Sequence, residues 1–396
     1  MKNPNLSYQP AATAFLDAAR RSSPRLLCGL SHSPPAKPQG RTRRNMKPRA
    51  AMRNAKPLAL TFEPIESPPR AAVVVTRGGI VESQHAIRYA VADSAGAIVG
   101  SAGDIDAPTF LRSSAKPLIC ATVVRSGAAD RFGFTDVELA VAAGSHSGEP
   151  YHIEAVQSML AKAGLDESAL QCGPHPPMHE PSAAALAAAG IRPRSIHNNC
   201  SGKHAAILAL AVHLGAPTSD YLSASNAAEA AILKACAEMF GVDLTAMVVG
   251  VDGCGIPVVA VPLRNSAQLY ARIADPSALP SRWRSPIERV RRAMVNNPAY
   301  VAGTGRFDTD LMRATFPNVV CKGGAEGFHA SASISRKLGM CVKVADGNYR
   351  AVSPFVIERL LECGAIDEDA AKLLETHHRP AVKNHAGAIV GEIRAV

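Results

Sequence analysis

The segment Asn198-Asn199-Cys200-Ser201-Gly202-Lys203-His204 sets a thiol, a hydroxyl, an amine and an imidazole directly before an apolar run, Ala205 to Leu214. Cys200, Lys203 and His204 are spaced i, i+3, i+4, so they share one face of a helix that begins there. An Asn/Ser/Gly loop with an incidental Cys and His would look the same. A second segment, Arg112-Ser113-Ser114-Ala115-Lys116, holds a Ser-x-x-Lys. A serine hydroxyl is a poor nucleophile until a base takes its proton. A lysine is that base when burial or neighbouring cations lower its pKa. Three-residue spacing on a helical turn brings Ser113 and Lys116 within reach. Chance alone supplies about one such pair in a chain of this composition. Pro117 also disfavours α geometry at Lys116, unless the helix starts there.

Three further clusters carry chemistry. Gly144-Ser145-His146-Ser147-Gly148 suits a tight loop that points hydroxyls into a cleft, or a plain turn between helices. In Cys321-Lys322-Gly323-Gly324-Ala325-Glu326-Gly327, two glycines after a lysine let backbone approach a ligand. In Val251-Asp252-Gly253-Cys254-Gly255, Asp252 and Cys254 lie two apart. Cys200 and Cys254 with His204 would make a soft donor set suited to zinc, although the spacing is not that of a zinc finger. Structural cysteines are the competing reading. Penicillin-recognising serine hydrolases carry a Ser-x-x-Lys and a Lys-x-Gly element. Lys322-Gly323-Gly324 fits the latter, Ser145-His146-Ser147 fills the middle slot, and the order of the three agrees.

Taken together, these segments, with Arg77-Gly78-Gly79, Val81-Glu82-Ser83 and His85, resemble the serine–lysine L-asparaginases of the rhizobial type over roughly Pro68 to Glu392. The resemblance implies an α+β fold of the β-lactamase/penicillin-binding-protein kind, with an antiparallel sheet and a helical middle region. It implies a homodimer that hydrolyses L-asparagine to L-aspartate and ammonia. It puts the nucleophile at Ser113 with Lys116 as base, and a second serine–lysine pair at Ser145 and Lys322. It puts Zn2+ on Cys200, Lys203 and Cys254, with Arg112, His204 and Asp252 near the substrate. A lysine ligand must be neutral, which bound metal enforces by competing with the proton. Two other readings stay open: a penicillin-recognising acyl-transferase, and a non-catalytic zinc-stabilised binding protein.

The elements that must position these groups are legible in part. Ala71 to Thr76 reads as a first strand ending at Arg77-Gly78-Gly79. Ile87 to Ala92 and Ala97 to Gly100 read as a hairpin. Helices are expected over Leu118 to Arg125, after the capping box Thr135-Asp136-Val137-Glu138, from Glu149-Pro150 to Leu160, over Lys203 to Leu214 and over Ala227 to Phe240. Met247 to Val251 reads as a buried strand, with Val258 to Pro262 and Val319 to Lys322 as further strands. Gly339 to Val344 and Tyr349 to Val352 read as a hairpin around Asp346-Gly347. Ser353 to Cys363 reads as a helix and Gly387 to Val396 as a last strand, so both chain ends can join one antiparallel sheet.

Charge is unevenly placed. Residues 1–57 hold twelve Lys/Arg and one acid, Asp17, out of 43 basic and 33 acidic residues in the 396-residue chain. The remainder is close to neutral, so the net +10 gives no argument that the body binds nucleic acid. We read residues 1–62 as a disordered, dispensable basic extension and 63–396 as the catalytic domain. The extension also has the composition of a transit peptide, and translation starting at Met46 or Met52 would account for it as well. Nine scattered cysteines suggest reduced thiols and a cytoplasmic setting. No apolar run is long enough for a membrane span.

Overall fold

The computed structural model describes residues 71–396. The extension expected over residues 1–62 lies outside them. Among the described residues eleven strands form two antiparallel sheets: β1 Ala71–Arg77, β2 Ile80–Asp93, β3 Ile98–Ala102, β4 Pro108–Phe110, β5 Val248–Val251, β6 Pro257–Pro262, β7 Val319–Gly324, β8 Phe328–Ser333, β9 Leu338–Val344, β10 Ala381–Lys383 and β11 Ile389–Ala395. The larger sheet runs β10-β11-β1-β2-β9-β8-β7, with β3 also paired to β2. The chain ends meet in it, with Val74 opposite Arg394. The smaller sheet runs β4-β6-β5. The architecture is the expected α+β arrangement, an antiparallel sheet with a largely helical middle of the chain.

Helices cover the sheet and share one hydrophobic core with it. The amphipathic helix Leu263–Ala274 buries Leu263, Ala267, Tyr270 and Ile273 and packs on β9, β2 and β8. Its approach is so close that a Cβ at Gly339 would stand 2.0 Å from Ala271 N. Lys116–Arg125 is buried from Lys116 to Val124, and Ser201–His213 from Ser201 to Ala211. Helices buried all round must read as apolar all round. Any polar group on them therefore faces an interior partner.

Two expectations from the sequence need correcting, and further elements join them. Met247 is buried but precedes the strand, and Val248–Val251 is an exposed edge and not a buried strand, with Val251 78% accessible. Tyr349 to Val352 is no strand; Tyr349–Ala351 is a 3-10 turn leading into the helix Val352–Glu362. Phe328–Ser333 is a strand buried at all six positions, and its Phe-His-Ala-Ser-Ala-Ser lacks the alternation that marks a half-exposed strand. The helices Leu263–Ala274, Ser281–Asn296 and Phe307–Ala314 also went unread. Among the described residues no helix is long and apolar enough to cross a membrane.

Candidate active site

Ser113 lies on the 3-10 turn Arg112–Ala115, which runs straight into the helix Lys116–Arg125. Pro117 is in the first turn of that helix, where a missing N–H costs nothing. Arg112 adopts φ +52°, a left-handed conformation uncommon for a residue with a side chain. Its Nε donates to Asp252 Oδ1 at 2.7 Å, which braces the turn from the 252–255 loop. From the other side Ser114 Oγ donates to Lys322 O at 2.6 Å, and Tyr270 OH donates to Ser114 O at 2.9 Å. β7 comes this close because residue 324 is glycine: a Cβ there would lie 2.6 Å from Leu111 O. Ser113 is half-buried, and its hydroxyl makes no hydrogen bond among the described residues.

Lys116 is only 1% exposed. Its Nζ donates to Gly144 O at 2.7 Å and lies 2.9 Å from Ser145 Oγ and 3.4 Å from Asn199 O. Burial, helped by the charges of Lys203 and Lys322 and opposed by the thiols of Cys200 and Cys254, pushes its pKa down to about 8. Lys116 is thus paired with Ser145. Lys322, the expected partner of Ser145, makes no hydrogen bond to it; its Nζ donates to Gly323 O at 2.6 Å and stands 3.5 Å from Asp308 Oδ2.

The Ser145 loop is held by groups that spacing did not reveal. Ser145 N donates to Val301 O at 2.7 Å and Ser147 Oγ to Ala302 O at 2.8 Å. His146 is fully buried, with Nε2 2.8 Å from Ser201 Oγ. Ser201 Oγ donates to Ile196 O, and Gly148 N donates to His146 Nδ1. His146 must therefore carry its proton on Nε2 and donate it to Ser201. This bond ties the Ser145 loop to the start of the Cys200–His204 helix.

The soft donor set converges. Cys200, Lys203 and Cys254 are each at most 6% exposed, and Lys203 Nζ is 3.0 Å from Cys254 Sγ. Asp252 Oδ2 lies 3.8 Å from the same sulfur. The hydrogen bond from Cys254, with the charges of Lys116 and Lys203, drives the Cys200 thiol well below its ordinary range. Cys254 moves the other way, pushed up by the same hydrogen bond and by burial. Burial opposes the charge on Lys203, but the two thiols and Asp252 hold its ammonium above the usual lysine range. His204, expected near a substrate, is sealed inside. It is fully buried, Nδ1 lies 2.7 Å from Tyr221 OH, and Nε2 has no partner.

A second buried group, absent from the sequence reading, comprises Asp308, Cys321 and His329, with donor atoms within 4.8 Å of one another. The spacing would suit a metal, but the donors are engaged. Asp308 Oδ2 accepts from Gly323 N at 2.8 Å and faces Lys322, while Oδ1 lies 3.2 Å from His329 Nε2. Only Cys321 and Lys322 were visible as a motif. Asp308 lies fourteen positions before Lys322, in a helix with no signature of its own.

An antiparallel α+β frame thus brings two buried lysines, two serines and a cysteine–lysine–cysteine group to one region. The sequence profile of the L-asparaginase II family matches residues 73–395, and the chain belongs to that family. No curated protein matches it. Among solved structures it is similar to Mglu in its native form, at 16% identity over 71% of this chain and 64% of that one, with a TM-score of 0.40. It is also similar to a β-lactamase from Mycobacterium bovis, at 14% identity over 74% of this chain and 95% of that one, with a TM-score of 0.37. The chain spans 64% of the length of Mglu. The site assignment rests on neither of these distant likenesses.

Proposed function

We propose that the protein hydrolyses L-asparagine to L-aspartate and ammonia through an ester on Ser113, with Lys116 as the base. The observation that carries this is Lys116 itself. It is buried one turn from Ser113, has only uncharged oxygens around its amine, and has a pKa near 8. A neutral amine there gives its two N–H bonds to Gly144 O and Asn199 O and turns its lone pair to the Ser145 hydroxyl. Ser145 then relays the Ser113 proton to Lys116, and the freed Ser113 Oγ attacks the side-chain amide carbon. Backbone N–H groups at the Ser113 turn meet the oxyanion. Lys116 returns the proton to the departing ammonia, and water, activated by the same base, hydrolyses the ester.

Arg112 and Asp252 supply opposite charges for the substrate α-carboxylate and α-amine, and His204 supports that wall from the interior. Cys200, Lys203 and Cys254 would hold zinc: two sulfurs and one nitrogen converge in a buried spot and one thiol favours its ionised form, while the metal would have to displace the proton that Lys203 holds. When bound, zinc would supply a fixed positive charge that anchors the 200 and 254 loops. A homodimer in the cytoplasm completes the proposal, in keeping with the free thiols of all eight described cysteines. One observation favours a second reading: the hydroxyl in contact with Lys116 is that of Ser145, which would make Ser145 the nucleophile.

Ammonia release from L-asparagine and L-glutamine, measured side by side with Ser113→Ala and Ser145→Ala, tests both. Ser113→Ala should lose at least about 1,000-fold in kcat while staying folded. Near wild-type kcat in Ser113→Ala, with a dead Ser145→Ala, would establish the second reading instead. Nitrocefin turnover without ammonia release would point to a penicillin-recognising enzyme.

A further inference from the structure

Two buried lysines, Lys116 and Lys322, both have their pKa lowered from the ordinary lysine value by burial, and the charge of Lys322 adds to the lowering at Lys116. Both are at most 2% exposed, so neither is screened by water. Two cations cannot comfortably share such a place, and the proton stays where a counter-charge holds it. Lys116 touches Gly144 O, Ser145 Oγ and Asn199 O, none of them anionic. Lys322 faces the carboxylate of Asp308 at 3.5 Å.

That carboxylate is firmly placed. Asp308 sits at the start of the helix Phe307–Ala314, 6% exposed. Its Oδ2 accepts from Gly323 N at 2.8 Å, and its Oδ1 lies 3.2 Å from His329 Nε2. Ser331 Oγ lies 3.3 Å from the other His329 nitrogen. The Tyr349 hydroxyl closes the site from the turn after β9, where a Cβ at Gly323 would lie 2.3 Å from its oxygen. Burial opposes ionisation of Asp308, yet Lys322, His329 and the Gly323 amide hold it far below the usual carboxylate range. The other groups facing Lys322 are Arg306 before the Asp308 helix, Cys321 on its own strand, and Cys200 before the Ser201–His213 helix. Burial pulls the Lys322 pKa below the ordinary lysine range, and among these groups Asp308 does most to hold it up. The Lys322 backbone is in turn bonded to the Ser113 turn, through Ser114 Oγ on Lys322 O.

We propose that Asp308 is the positioning residue that divides the work between the two lysines, keeping Lys322 as the cation so that Lys116 serves as the base. This rests on the proposed serine–lysine reading and deepens it. Environments that push two titratable groups apart assign their acid and base roles. Lys322 is then a fixed positive charge beside the reacting serines, and Gly323 N–H is committed to Asp308 and unavailable to an oxyanion.

The test is the pH dependence of kcat/KM from pH 5.5 to 10.5 for the full chain, with Asp308→Asn, Asp308→Glu and Lys322→Met. Wild type should give a bell, rising as Lys116 loses its proton and falling as Lys322 does. Asp308→Asn should lose at least about 100-fold in kcat and move the falling limb down by about one pH unit or more, with the rising limb nearly unmoved. Asp308→Glu should restore the falling limb. If Asp308→Asn does not fold, Asp308→Ser removes the same charge in less volume. A falling limb unchanged in Asp308→Asn, while Lys322→Met is inactive, would overturn the role of Asp308 and leave the serine–lysine reading standing. Near wild-type activity in Lys322→Met would overturn the division of roles between the lysines, while the Ser113 and Lys116 variants test the serine–lysine reading itself.

Discussion

At the scale of single residues, chemistry here is decided by which buried groups have a charged partner. Lys116 has none. A neutral base with a pKa of about 8 makes the rate rise with pH through that value, because the active form is the deprotonated one. Lys116→Met should abolish turnover, and a wild-type rate flat from pH 6.5 to 9 would sink its role as base. The Cys200, Lys203 and Cys254 group gives a separate measurement. Elemental analysis should find zinc in the wild-type protein and less in Cys200→Ser and in Cys254→Ser. Equal metal in wild type and the double variant would remove the site from consideration.

At the scale of elements, the helix Ala227–Phe240 carries a buried acid that works against the fold. Glu229 is 1% exposed, its Oε1 lacks a partner, and burial raises its pKa to about 8 despite Lys203. The folded state therefore binds its proton more tightly than the unfolded chain. Stability is fully present below the unfolded value near 4.5 and declines as pH rises toward 8. Glu229→Gln keeps the shape and removes the titration. It should be more stable than wild type at pH 8, on the order of a few kcal/mol, with little difference at pH 5. Urea unfolding at the two pH values checks this, and parallel curves for both proteins would refute it. The same scale explains how the site is assembled. Gly324 lets β7 reach the Ser113 turn, and His146 bonds the Ser145 loop to the helix that begins at Ser201.

At the scale of the whole molecule, the positive charge is concentrated in residues 1–57, with twelve basic residues and one acid, while the remainder is near neutral. Ordering a segment of that composition would cost about 1 kcal/mol or more per residue in conformational entropy, with little apolar surface to offset it. A chain lacking residues 1–57 should keep its kcat, KM and Tm almost unchanged. A drop in Tm of many degrees would show that the extension packs on the body. Any affinity for anionic surfaces should go with the extension and weaken with salt.

The sequence by itself determined the helix Ala227–Phe240 to the residue, the Thr135 capping box, the 93–96 hairpin and the meeting of the terminal strands. These depend on local caps, turns and periodicity, which neighbouring residues specify. It also marked the segments of Ser113, Ser145, Cys200, Cys254 and Lys322, because reactive side chains next to glycines stand out in a string, but not those of Asp308 and His329. Only the tertiary structure decided which group meets which. Lys116 turned out to hold Ser145, Lys322 to face Asp308, and His204 to be sealed behind Tyr221. Those partners lie 29, 14 and 17 positions apart and on different elements. Their pairing follows from how the Lys116 and Ser201 helices pack on each other and the Phe307 helix packs on β7, and no local rule carries that information. The same holds for β8: its buried small residues read as a strand only once β7 and β9 flank it.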